Sequence, residues 1–264
     1  TTGTTTSGTT TGTTTSGTTT GTTTSGTTTG TTTGTTTSGT TTGTTTSGTT
    51  TGTTTATSSI GGTALIATSS DFANAKSAVL GGDRNTSVTV DGHTIPLTTS
   101  SSASGNFVVS DTTETRIIAS GSTLSYMRFG SEGNPWTTTA YVFATGDITP
   151  TSGTNAVPTT GTATYSGLST YAVADNLYFQ KGTSTFNVDF GAKTITGTID
   201  PSVYNIGLAG TINGSSFSGT KNGITMQGNF YGPSAAELGG TFNGDTTTAI
   251  SLTSFIGAFG AKKQ

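Results

Sequence analysis

FNVDFGAKTITGTI, residues 186–199, alternates apolar and polar side chains on either side of a glycine-containing turn. Phe186, Val188 and Phe190 fall on one side of an extended backbone, as do Ile195, Gly197 and Ile199. A period of two puts one face of each strand in a core and the other in water. The same pattern of short strands and Gly/Asn/Ser turns continues in both directions. Upstream lie GNFVVS, ETRIIAS, STLSYMRFG, TAYVFATG, GTATYSGLS and LYFQKG; downstream lie LAGTING, ITMQGNFYG, LGGTFNG and IGAFGA. Such a series predicts an all-β fold, a closed antiparallel barrel or a sandwich. Glycines at inward positions, Gly197, Gly210, Gly228 and Gly240, favour the coiled strands of a barrel.

Ahead of residue 105 the pattern loosens. Ser70 or Asp71 is expected to cap a short helix over residues 72–79 that ends at Gly81. In SVTVDGHTIPL, residues 87–97, Val88 and Val90 alternate before Asp91-Gly92, and a second extended run reaches Leu97. Asp-Gly between alternating runs is a hairpin signal. Residues 56–104 therefore form a small module and residues 105–264 the barrel domain. Within the barrel, Ser234 and Glu237 have capping-box spacing, which predicts a one-turn helix between two strands.

Residues 1–55 contain only Thr, Ser and Gly, built from the unit TTTSGTTTG. Folding a residue costs roughly 1–2 kcal/mol of backbone entropy, and this segment offers only threonine methyl groups in return. It builds no core alone, so it reads as a tether or as an element that orders by self-association. Its hydroxyls are also potential carriers of O-linked sugars.

Composition narrows the function. Nine Lys+Arg against 12 Asp+Glu give a net charge of −3, and no charge precedes Asp71. Nucleic-acid binding needs clustered basic residues and is not expected. The chain has no cysteine, which excludes disulfides, thiolate metal sites and a Cys nucleophile, and removes a lipid-accepting cysteine from this stretch. No apolar run approaches the ~18 residues of a membrane helix. Charged residues are only 8%, and a surface of hydroxyls and amides suits an extracellular β protein.

Several stretches carry a family resemblance. YMRFGSEGNPW, AYVFATGDITP, VPTTGTATYSGLSTY, FNVDFGAKTITGTI, GNFYGPSAAELGGTF and the final IGAFGAKKQ resemble, in this order, the C-terminal β-barrel of the transferrin-binding protein B superfamily. The resemblance covers about residues 105–264. It implies an eight-stranded antiparallel barrel preceded by a smaller handle, for which residues 56–104 are the candidate. It also implies a non-enzymatic binding protein on the surface of, or secreted by, a Gram-negative bacterium, of the haem/iron-acquisition or host-protein-binding type. The best-known member has two lobes and this chain has room for one, so transferrin binding is not carried over. The alternative is a subunit of an extracellular filament or coat, with the repeat self-associating and the barrel decorating the surface.

Candidate site residues are few. His93 is the only histidine, and relatives that bind haem make it a candidate axial ligand, against a plain position beside the hairpin turn. Met127 and Met226, potential second ligands, fall in predicted barrel strands. Trp136, the only tryptophan, follows Asn134-Pro135 in a predicted loop, where it either anchors a partner or plugs the barrel end. The acidic residues are scattered, with no pair set up as the acid and nucleophile of a glycosidase. No G-x-S-x-G elbow accompanies the histidine, so an enzyme is not expected. DNLYFQKG resembles a viral-protease cleavage site, but Asp175 and Lys181 depart from it and Leu177 and Phe179 fit strand alternation.

Overall fold

A computed structural model describes residues 19–24, 41–46, 61–98, 103–104, 106–134, 136–174, 176–200, 206–247 and 252–264. The chain divides into two units, residues 1–59 and residues 60–264. In the first, β1 (Thr19–Thr24) and β2 (Thr41–Thr46) pair in parallel, TTGTTT on TTGTTT, with glycine opposite glycine. The rest of the repeat, on which the tether and assembly readings also depend, lies outside the described residues.

The second unit holds two large β-assemblies. Its first half contains β3 (Gly61–Thr68), β4 (Asp71–Ser77), β5 (Leu80–Asp83), β6 (Ser87–Val90), β7 (His93–Pro96), β8 (Ala103–Ser104), β9 (Phe107–Asp111), β10 (Arg116–Ser120), β11 (Met127–Asn134) and β12 (Thr139–Gly146). Seven of these form an open sheet in the order β4-β3-β12-β11-β10-β9-β8, and β5-β6-β7 form a three-stranded sheet. The second half contains β13 (Thr162–Val173), β14 (Gln180–Asp189), β15 (Thr194–Asp200), β16 (Ile206–Asn213), β17 (Ser216–Lys221), β18 (Ile224–Tyr231), β19 (Glu237–Thr247) and β20 (Leu252–Lys263). These eight antiparallel strands close into a barrel, with β20 paired to both β19 and β13.

Alternation builds the barrel as the sequence predicts. Phe186, Val188, Ile195 and Ile199 point into a core shared with Phe217, Phe230, Phe242, Phe255 and Phe259. Inward glycines make room for these rings: a Cβ on Gly197 would overlap Phe186, one on Gly228 would overlap Phe217, and one on Gly257 would overlap Phe242. Outward glycines serve the neighbouring sheet. A Cβ on Gly239 would overlap Met127, and one on Gly260 would overlap Phe129 and Leu124. The open sheet thus lies close against β19 and β20, burying Phe129, Phe72, Phe107 and Ile118 with Ile256, Ala258, Tyr231 and Phe179. Its other face packs Phe143, Ala64 and Ile117 on Val88, Val90 and Ile95 of the small sheet.

The structure corrects several expectations. The strands over residues 107–146 belong to the open sheet rather than the barrel, because β12 pairs antiparallel with β3 from the module placed ahead of residue 105. Period-two alternation reads the same in an open and a closed sheet, so it does not locate that division. Met127 accordingly lies in the open sheet, while Met226 is a barrel residue. The helix over residues 72–79 is instead strand β4. It completes the edge of β3, and the Asn243 side-chain amide donates to the carbonyls of Phe72 and Ala73 at 3.0 and 2.9 Å. The short helix at Pro233–Ala235 forms, but no side chain caps it, and Ser234 has φ 54°. Glu237 points the other way and accepts N–H bonds from Ser125 and Tyr126 at 2.7 and 2.9 Å. The predicted Asp91-Gly92 hairpin is present, with φ 47° and 83° at its two central residues.

Candidate functional site

The barrel interior is filled by apolar side chains, and the exposed candidate residues lie around it. Among the described residues, four large apolar or aromatic side chains stand exposed: Val79, Ile148, Tyr178 and Trp136. Trp136 is 76% exposed and does not plug the barrel. Its loop is fixed by Asn134, whose Oδ1 accepts the N–H groups of Trp136 and Thr137 at 2.9 and 3.1 Å. The indole Nε1 donates to Thr113 O at 3.4 Å.

Thr113 belongs to the turn between β9 and β10, and that turn forms one wall of a cleft. The cleft, about 420 Å³, lies between residues 111–116 and residues 176–178 ahead of β14, and includes Asp111, Arg116, Asn176 and Tyr178. The turn is held by Thr112, whose Oγ1 accepts from Thr115 N at 2.9 Å. The opposite loop is held by Asn176, whose Oδ1 accepts from Tyr178 N at 2.8 Å. Arg116 ties the two walls together. It donates through Nε to Phe179 O at 2.8 Å, pairs with Asp111, and lies 3.8 Å above the Tyr178 ring. Tyr178 OH in turn donates to Asp111 Oδ2 at 2.9 Å. Phe179 is anchored in the core between sheet and barrel, so Leu177 and Tyr178 precede strand β14 as a shaped loop. Sequence reasoning marked Trp136 but missed Tyr178 and Arg116. The Leu-Tyr-Phe run shows there only as strand alternation, and nothing in its spacing to Arg116 tells of their contact.

His93 occupies a different place. Its ring stacks on Tyr141 with centroids 4.2 Å apart, and Nε2 meets Glu132 Oε1 at 2.8 Å. The Glu132 side chain is only 4% exposed. Burial, and then the Glu132 charge, push the Tyr141 phenol above its ordinary range. The arrangement pins the small sheet to the open sheet, and an iron at Nε2 would have to displace Glu132. His93 and Trp136 are therefore not brought together into one site. No group of three metal-ligating side chains exists among the described residues.

Residues 157–263 match the family model described as C-lobe and N-lobe beta barrels of Tf-binding protein B. Transferrin-binding protein B of Moraxella catarrhalis is 28% identical over 236 residues, which cover 74% of this chain and 32% of the relative. The chain thus spans about a third of that relative's length. Among solved structures, isotype 1 transferrin binding protein B from serogroup B Neisseria meningitidis superposes with a TM-score of 0.57 at 24% identity, over 77% of this chain and 43% of that one. The apo haemoglobin receptor HpuA from Kingella denitrificans gives a TM-score of 0.50 at 18% identity, over 78% and 88% of the two chains. The match of residues 157–263 coincides with the closed ring, including its final strand.

Proposed function

We propose, from a barrel of the transferrin-binding protein B type, that this chain is a non-enzymatic binding protein exposed on the bacterial surface or secreted. The barrel is the scaffold, and the rim made by the β11–β12 turn at Trp136 and the residues before β14 at Tyr178 contacts a host protein that carries iron or haem. The observation that carries this reading is the pair of exposed aromatic side chains on one fixed rim, Trp136 at 76% and Tyr178 at 53%. Large aromatics that lose little freedom on binding are typical anchors of protein interfaces. The names of the relatives, a transferrin-binding protein and a haemoglobin receptor, supply the class of partner. The comparisons offer nothing in favour of the filament alternative.

Interferometry of the full chain against transferrin and haemoglobin tests the proposal. Binding to either should fall at least about tenfold in Trp136→Ala, a loss of some 1.4 kcal/mol. Full-strength binding by that variant would sink the assignment of the rim. Haem addition separates the remaining possibility. A Soret band that disappears in His93→Ala would move the function from the rim to His93.

A further inference from the structure

The cleft beside Tyr178 keeps unpaired hydrogen-bonding atoms next to open aromatic surface. Arg116 uses Nε on Phe179 O and Nη1 on Asp111, which leaves Nη2 without a partner among the described residues. Asp111 receives Arg116 and the Tyr178 hydroxyl at Oδ2, which leaves Oδ1 without a partner among the described residues. Asn176 engages its Oδ1 with Tyr178 N, which leaves the amide nitrogen without a partner among the described residues. The Asp111–Arg116 pair cancels its own charge, so the cleft has little net attraction for an anion or a cation. Its volume, about 420 Å³, fits a small ligand or one residue of a larger one.

We infer that this cleft binds a sugar ring of a neutral glycan. A pyranose presents a face of C–H groups and an edge of hydroxyls that both donate and accept. The C–H face suits the exposed surface of Tyr178 or Trp136, and the hydroxyl edge suits a carboxylate oxygen beside guanidinium and amide donors. A phosphate or carboxylate ligand would call for an unpaired cation, and Arg116 is already paired. An apolar peptide anchor would leave Asp111 Oδ1, Arg116 Nη2 and Asn176 Nδ2 dry and unsatisfied. The inference rests on reading this rim as the recognition site. It makes the sugar of a glycoprotein, rather than its polypeptide alone, part of what is recognised.

Trp136 is the only tryptophan, and its indole is bonded to the turn that walls the cleft, so its emission reports the site directly. The full chain is titrated with N-acetyllactosamine and with mannotriose, with calorimetry in parallel. The expected result is a saturable emission change with Kd of about 0.1–10 mM for at least one of them. Tyr178→Ala should weaken it about tenfold or more, and Tyr178→Phe, which keeps the ring, by only a few fold. Melting temperatures matching wild type establish that both variants fold. Absence of any saturable response, or equal binding by Tyr178→Ala, overturns the inference. A chain that captures transferrin or haemoglobin through Trp136 yet shows no sugar response loses this inference and retains the docking reading.

Discussion

The barrel and the open sheet are both built from antiparallel strands, yet they satisfy their edges in opposite ways. The barrel closes on itself, so each of its eight strands has two hydrogen-bonded neighbours. The sheet ends at β4 and β8 and is instead buried on both faces, by the barrel wall on one side and by β5-β6-β7 on the other. The closed ring completes its strand pairing within itself. The sheet packs on both neighbours, and the turn between its inner strands β11 and β12 presents Trp136. A closed ring beneath loops that join inner sheet strands divides scaffold from recognition surface.

The sharpest way to break this comparison is to damage the ring. Phe259→Ala removes a fully buried ring packed against Phe186 at a centroid distance of 4.7 Å. It should cost about 3–5 kcal/mol, and calorimetry should show barrel and sheet melting together at a lower temperature. Glu237→Ala attacks the joint instead. It leaves the Ser125 and Tyr126 N–H groups without their acceptor and should cost about 2–3 kcal/mol. Hydrogen exchange should then accelerate over residues 124–134 while β14 and β15 keep their protection. Equal acceleration throughout would show that the two assemblies do not separate. His93→Ala removes the partner of buried Glu132 and should lower stability by about 1–2 kcal/mol, with faster exchange confined to β6, β7 and β11.

Alkaline pH probes both regions through their tyrosines. Burial pushes the phenols of Tyr165, in the barrel core, and Tyr231, against the open sheet, well above the ordinary value near 10. A folded pKa above the unfolded one means the neutral form is favoured by folding. Its stabilisation is complete below pH of about 10 and is lost as pH rises from there through the folded pKa. Absorbance titration should show these two phenols ionising only as the protein unfolds. The smallest stability effect belongs to the rim. Trp136→Ala should change the melting free energy by less than about 0.5 kcal/mol while removing partner binding. A large loss of stability there would show that the indole is structural after all.

The barrel was legible because its pattern is local. FNVDFG and KTITGTI alternate with one face in the core, and the inward glycines lie where phenyl rings need space. The Asp91-Gly92 hairpin was legible for the same reason, since two residues define its turn. What escaped depends on distant partners. Residues 72–79 have the look of a capped helix until β3 and Asn243 supply hydrogen bonds from across the unit. Ser234 and Glu237 have the spacing of a cap, yet Glu237 finds better donors more than a hundred residues away. Tyr178 reads as strand alternation because its contact with Arg116 spans two assemblies. Trp136 was recognisable as a loop residue, but only its surroundings distinguish a plug from an exposed rim.

The pairing of β20 with both β19 and β13 also sets an order of events. Seven strands of this ring make an open, curved sheet with two bare edges and an uncovered row of phenyl rings. The eighth joins both edges in one step, and the β13–β20 seam spans nearly a hundred residues of sequence. Closure of so long a loop is slow compared with forming any of the hairpins. During synthesis, the ring therefore cannot complete until β20 is delivered. Until then two strand edges and the apolar inner face stay open; once β20 pairs on both sides, no barrel strand offers a free edge.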